Sequence, residues 1–284
     1  MQPATAAETT SSVNQKFVVS AINGTAIFAL TYLLVNGLHQ LATVLVAARL
    51  GVRGEWGLSR ISFSLANAEW WQAAVLAVYG VGPLLAAGVG IVAYQWYWRR
   101  QRAQRGLFKL LLLWTALHAC NAVLGALATD TLLKTGFWYV PAWLLQLGNV
   151  VNGLLAVLAG LAQAAIGYFA ATAFLQAHDS RTVMAYPRRR RMVVSTILVP
   201  WAAGSGLLAL AKAPAFSLVE GLHLAALGLL LLGPMALGCL QELYDSTVRR
   251  PQPTRLAWGL LGLLGLLLLG WRLLLSPPLV FGAA

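Results

Sequence analysis

This chain contains seven long apolar stretches, and few folds can accommodate them. A helix needs about 20 mostly apolar residues to cross the hydrocarbon core of a bilayer. Strands of a membrane barrel would alternate in short segments, whereas these stretches are apolar on every face. We therefore predict an all-α polytopic membrane protein with about seven transmembrane helices. The predicted spans are residues 17–50, 71–97, 107–128, 142–176, 192–211, 218–241 and 256–275.

The composition favours the same class of protein. Hydrophobic residues make up 59% of the 284 residues and charged residues 10%, whereas about 25% of a soluble domain is charged. The net charge of +12 is spread over short runs between the apolar stretches. Because this leaves no basic face for a duplex, we expect the lipid bilayer as a partner and no nucleic acid.

The chain divides into four predicted segments. Residues 1–16 are polar and predicted to be disordered, 17–140 hold three spans, 141–275 hold four more, and 276–284 form a short C-terminal tail. The first segment lacks the basic region of a cleavable signal peptide, so we expect the first span to stay attached. After that span, Arg53–Asn67 alternates in its second half, which predicts a short β-hairpin or interfacial strand.

Lysine and arginine are unevenly divided between the two sides that seven spans create. The more basic side carries fourteen of the twenty, so the positive-inside rule predicts a cytoplasmic N-terminus and an outside C-terminus. The run Arg188–Arg191 has a second interpretation, binding to anionic lipid headgroups. The basic side holds Lys16, Arg99, Arg100, Arg102, Arg105, Lys109, Arg181, Arg188 to Arg191, Arg249, Arg250 and Arg255. The other side holds Arg49, Arg53, Arg60, Lys134, Lys212 and Arg272.

Polar residues inside the spans are the candidates for function, because a polar group in hydrocarbon costs free energy. Asn36, His39, Gln40 and Thr43 share one face of the first span, and His39 lies about 15 Å along the helix from Arg49. Hydrogen bonding between helices is the alternative role for this set. Glycines at 153, 160 and 167 recur every seven residues in the fourth span, which predicts a close packing seam.

Two further spans carry candidate groups. The third has His118, Asn121 and, where it ends, Asp130, which could instead cap the turn that follows it. The sixth begins with Glu220 and His223, a spacing that can place a carboxylate and an imidazole on one metal. Solvation at the membrane interface is the alternative for that pair.

Taken in order, these features resemble the site-2 protease family of intramembrane zinc metalloproteases. The resemblance covers residues 28–140. His39-Gln40-Leu41-Ala42-Thr43 stands where the family has HExxH, and Arg53–Leu65 where it has a hairpin. Gly80-Val81-Gly82-Pro83 matches a Gly-Pro motif in the next helix, and Asn121 and Asp130 match an Asn and a ligating Asp. The resemblance implies a three-helix core over residues 17–140 with a degenerate site at His39, Gln40, Thr43, Asn121 and Asp130.

The departures from the family motif remove its chemistry. Gln40 replaces the general base and Thr43 replaces the second histidine, so a zinc ion is possible but under-coordinated and no cofactor is expected. We therefore expect a catalytically inactive binding or regulatory protein, with a transmembrane helix of another protein as a possible partner. One alternative is a transporter or channel for a small solute or protons, with Asn36, His118, Glu220 and His223 as polar lining. Another is an active metalloprotease with an altered site.

Overall fold

A computed structural model of the chain describes residues 6–146, 148–180, 183, 185–240 and 254–282. Residues 1–5 and 283–284 of the two predicted tails lie outside the described residues, as do Arg181, Arg249 and Arg250 of the charge pattern. The described part contains seven helical spans, which confirms the predicted all-α polytopic fold. The spans are Val13–Arg49, Gln72–Gln101, Phe108–Leu133, Asn149–Gln176, Arg189–Lys212, Leu218–Cys239 and Trp258–Leu275.

Three of the spans contain a π-helical turn, which ends the second span and interrupts the third and the fifth. Such turns widen the helix locally and leave backbone groups free for other contacts. The first span belongs to one helix, Ala6–Arg49, which therefore begins inside the segment 1–16 that was predicted to be disordered. The bounds of the other helices are Gln72–Trp96, Phe108–Cys120, Ala126–Leu133, Tyr139–Leu145, Asn149–Gln176, Arg189–Val193, Val199–Lys212, Leu218–Leu240 and Trp258–Leu275. The π turns are Tyr97–Gln101, Asn121–Gly125 and Val194–Leu198.

The predicted fourth span, 142–176, is two helices. The short helix Tyr139–Leu145 ends at Gln146, which has a left-handed backbone with φ of 48°. The long helix Asn149–Gln176 begins after Gly148, whose extended backbone starts a new helix. The transmembrane part is therefore shorter than predicted, because apolar residues 142–145 belong to a separate helix.

A three-stranded sheet lies on one side of the bundle. Strands β1 (Gly54–Trp56) and β2 (Ile61–Phe63) form the predicted hairpin, with Glu55 opposite Ser62. Strand β3 (Leu279–Phe281) pairs antiparallel with β1, giving the order β2-β1-β3. The third strand lies in the segment that was predicted to be only a short tail. Because it pairs with a hairpin that follows the first span, the ends of the first and seventh spans lie on one side of the bundle.

Glycine packing joins the spans at a few defined points. A Cβ atom at Gly90 would lie 2.7 Å from the Cβ of Ala119, so the second and third spans are in close contact there. A Cβ at Gly167 would lie 2.1 Å from the backbone oxygen of Leu230 in the sixth span. Gly160 has an ordinary contact, and nothing lies within 4 Å of Gly153. The predicted seam is therefore confirmed at Gly167 and wrong at Gly153.

Candidate functional site

One cavity of about 440 Å³ lies among the first, second, third and sixth spans, the β-hairpin and the segment 135–139. All nine residues that the sequence indicated as site candidates line it. These residues are Asn36, His39, Gln40, Thr43, His118, Asn121, Asp130, Glu220 and His223. The structure thus brings the residues that the family resemblance indicated and the alternative polar lining into a single site.

Two of the three polar positions of the His39–Thr43 motif have structural partners. The amide oxygen of Gln40 accepts a 2.7 Å hydrogen bond from the indole N–H of Trp56 in β1, so it ties the first span to the hairpin. The Thr43 hydroxyl donates to the carbonyl of His39 one turn earlier, at 3.0 Å. Neither side chain is therefore directed at a metal.

His39 and Asn36 keep unpaired groups at the cavity wall. The ring of His39 lies against the second span at Gly82, where a Cβ would lie 2.6 Å from Nε2. The absence of a side chain at Gly82 therefore makes room for the imidazole. The amide nitrogen of Asn36 is buried and has no hydrogen-bond partner among the described residues.

Asp130 and His223 form a hydrogen-bonded pair at the cavity. The His223 Nε2 atom donates to Asp130 Oδ1 at 2.7 Å, and the backbone N–H of Phe137 donates to Oδ2 at 2.8 Å. One alternative for Asp130 was a cap on the turn that directly follows it. Its carboxylate instead accepts from Phe137, beyond that turn, and from His223 of the sixth span. Asn121, at the start of a π turn, donates to the carbonyl of His223 and accepts from Gln163, both at 2.8 Å. These bonds fix the third span against the sixth and the fourth.

Glu220 is the centre of a second buried network. Tyr32 and Lys212 both donate to Oε1, and Ser59 donates to Oε2. The side chains of Lys212 and Glu220 are 1% and 6% exposed. The alternative of interfacial solvation is therefore wrong for Glu220, because its charge is balanced inside the bundle. Lys212, which the charge pattern treated as a loop cation, is likewise buried.

Packed aromatic rings close the cavity on the side away from the hairpin. His118 donates from Nε2 to the carbonyl of Phe28 at 3.1 Å. The Trp114 ring packs edge-on against Phe28 and Phe174, with centroids 5.1 and 5.3 Å away. His118 precedes Asp130 by twelve residues, which is about 18 Å along a helix. His118 therefore lies at the end of the cavity far from Asp130, where the Phe28 carbonyl is its hydrogen-bond partner.

The lining residues do not fit the zinc ion that the family resemblance implies. A catalytic zinc takes three protein ligands, and residues 40 and 43 supply neither a base nor an imidazole. Asp130 already binds His223 and the Phe137 amide. Within the ranges that the structure describes, no three His, Cys, Asp or Glu side chains are grouped so that they could hold a metal ion.

Several residues of the site were missed by sequence reasoning. Gln163 had a usable signal, since a polar amide in the middle of an apolar span marks a buried contact. Lys212 was assigned to a loop from its position beside an apolar stretch. Tyr32 and Ser59 carried no signal, because their importance depends on the position of Glu220 in the folded bundle.

Comparison with profiles of known protein families, with curated proteins and with solved structures finds no match to this chain.

Proposed function

We propose that this integral membrane protein is a catalytically inactive, site-2-protease-like binding protein, whose cavity takes its ligand from the side of the β-hairpin. The observation that carries this proposal is the convergence of nine polar residues on one cavity while Gln40 and Thr43 are engaged in structural hydrogen bonds. A site that keeps its polar lining and lacks its base and second imidazole can bind without hydrolysing.

The size and rigidity of the cavity support binding. Small-molecule sites are commonly about 300–1,000 Å³ and combine an apolar wall with a few fixed polar groups. Here the Asp130–His223 pair and the Glu220 network hold the polar groups in place. Signalling through a transmembrane helix of a partner protein is the regulatory role that we propose for a ligand-bound state.

Restoring the family motif tests the resemblance directly. We expect the double substitution Gln40→Glu with Thr43→His to gain stoichiometric zinc, because two imidazoles four residues apart and the Asp130 carboxylate would then face one cavity. Metal content of the purified protein is the measurement. The same double variant with His39→Ala is the control and should lose the metal. A double variant that stays zinc-free would contradict the resemblance to the protease core.

The unmodified protein gives the second arm of this test. We expect it to show no chelator-sensitive cleavage of a helical membrane substrate, because Gln40 cannot accept a proton from water. Cleavage that stops on chelation and returns with zinc would establish the alternative of an active metalloprotease.

Transport is the second candidate function, and one observation favours it: the polar faces of the first, third and sixth spans converge. A transport path also has to reach the opposite side of the membrane. In this conformation Phe28, Trp114 and Phe174 are packed there, and each is at most 1% exposed. We therefore place binding before transport.

A further inference from the structure

Both carboxylates that line the cavity already accept hydrogen bonds at each of their oxygens. Glu220 accepts hydrogen bonds at each oxygen from Tyr32, Lys212 and Ser59. Asp130 accepts one at each oxygen, from His223 and from the Phe137 amide. A cationic ligand would therefore have to compete with these donors for either carboxylate.

Two of the groups left without a partner at the cavity are donors only. The Asn36 amide nitrogen is buried and unpaired among the described residues. Arg60, in the hairpin turn, also lines the cavity and is exposed. Its guanidinium has no hydrogen bond or ion pair within the described part of the chain. A guanidinium presents N–H groups in a planar fork that matches the two oxygens of a carboxylate.

Aromatic side chains form another part of the cavity wall. Phe63 of β2, Tyr79 of the second span and Tyr139 all line the cavity. The Tyr79 ring centroid lies 5.7 Å from that of Phe63 and 4.9 Å from that of Tyr139. Val78 and Ile61 extend this apolar surface. One site thus combines unpaired donors with an aromatic surface.

From this combination we propose that the ligand is a small amphipathic carboxylic acid. Its carboxylate binds Arg60 and the Asn36 amide, and its apolar body lies against Phe63, Tyr79 and Tyr139. A cation at the mouth of the cavity also attracts anions from solution and raises their rate of entry. This inference depends on the proposed binding function and adds the chemical class of the ligand.

Binding of matched probes to the purified protein in lipid nanodiscs tests the proposal. The probes are phenylacetate, 4-methylpentanoate and hexanoate, with phenylacetamide and phenethylamine as neutral and cationic analogues. We expect saturable calorimetric binding of at least one carboxylate, with the two analogues at least about tenfold weaker, the equivalent of about 1.4 kcal/mol. Binding of none of the acids, or equal or tighter binding of the amide or amine, would overturn the proposal.

A pair of arginine variants locates the contact. Arg60→Gln should weaken carboxylate binding at least about tenfold, because it removes the charge and the fork. Arg53→Gln is the matched control, since Arg53 is exposed on the same hairpin and does not line the cavity. Equal affinities of the two variants would contradict the assignment of Arg60. The proposed binding function has its own tests, which are zinc gain by the Gln40→Glu, Thr43→His variant and water access to the cavity. Failure of the carboxylate probes would therefore contradict the ligand class without contradicting the binding function.

Discussion

Glu220 and Lys212 illustrate how single residues determine the stability of this bundle. An ion in a low-dielectric interior is tolerated only when a partner and further hydrogen bonds offset the cost of its lost hydration. Glu220 has Lys212, Tyr32 and Ser59 as donors, and the Lys212 ammonium also lies 5.1 Å from the ring centroid of Tyr32. Removing one charge leaves the other buried and uncompensated.

We therefore expect Glu220→Gln to lower the free energy of unfolding by about 3–5 kcal/mol. Thermal unfolding in detergent is the measurement. Adding Lys212→Met should recover most of the loss, because the ammonium is removed and an apolar chain remains between Tyr32 and Trp271. A double variant no more stable than Glu220→Gln alone would contradict this account of the pair.

Individual side chains also show what can be predicted from sequence. A polar residue in an apolar span is easily recognised in the sequence, and it is usually directed into the bundle because lipid cannot solvate it. All nine candidates recognised in this way line the cavity. Their pairing was not predictable. Asp130 bonds His223 and not His39 because of the way the spans pack together. The sequence of a single helix does not determine which helices pack against it.

Contacts between helices explain why only part of the glycine stripe in the fourth span is used. The stripe runs along one helix, but the backbone of the sixth span meets it near Gly167 and Gly233, whereas at Gly160 only the Leu229 side chain makes ordinary contact. A Cβ at Gly233 would lie 2.4 Å from the backbone nitrogen of Tyr168, so the two backbones are in mutual contact there. Backbone atoms cannot move aside as a side chain can.

Gly167→Ala should therefore destabilise the protein by about 1–3 kcal/mol through overpacking. Gly153→Ala is the matched control on the same helix. Since nothing lies near Gly153, alanine there should be neutral or slightly stabilising through its higher helix propensity. Unfolding midpoints in detergent compare the two variants, and equal midpoints would show that the contact at Gly167 carries no strain.

The β-sheet is the element that sequence reasoning captured only in part. The hairpin was predictable from its alternation and glycines. Strand β3 was not, because three residues of a short tail carry too little pattern, and its pairing with β1 depends on where the seventh span ends. Trp271 in that span reinforces the junction by donating to the carbonyl of Leu58 at 3.0 Å.

At the scale of the whole molecule, the number of spans and the sheet determine which segments share a side of the bundle. Seven spans and a sheet that joins β1 to β3 place the hairpin and the C-terminal strand on one side and the N-terminus on the other. The charge pattern predicts which side is cytoplasmic. Lys212 is buried and no longer counts as a loop cation, but the same is true of Lys109 and Arg189 on the more basic side. Without these three, twelve of the remaining seventeen cations lie on the N-terminal side, so the direction of the bias is unchanged.

Sided labelling tests this orientation. In a protein whose Cys120 and Cys239 are replaced by alanine, Glu55→Cys should react with a membrane-impermeant thiol reagent on intact cells. Gln104→Cys should react only after permeabilisation. The same protection is expected at Tyr186 and Gln252, the second of which lies outside the described residues. Reversed labelling of Glu55→Cys and Gln104→Cys would place the N-terminus outside.

Water access to the cavity decides whether this protein binds a ligand from the hairpin side. In the same cysteine-free background, Asn36→Cys places a thiol on the cavity wall. Leu34→Cys is the control, because Leu34 is exposed on the bundle surface in the same span, where we expect lipid to surround it. We expect a water-soluble, impermeant thiol reagent to label Asn36→Cys from the side that labels Glu55→Cys and not from the opposite side, and to leave Leu34→Cys unlabelled. Labelling of Asn36→Cys from neither side would contradict a binding cavity, and equal labelling from both sides would show a transport path instead.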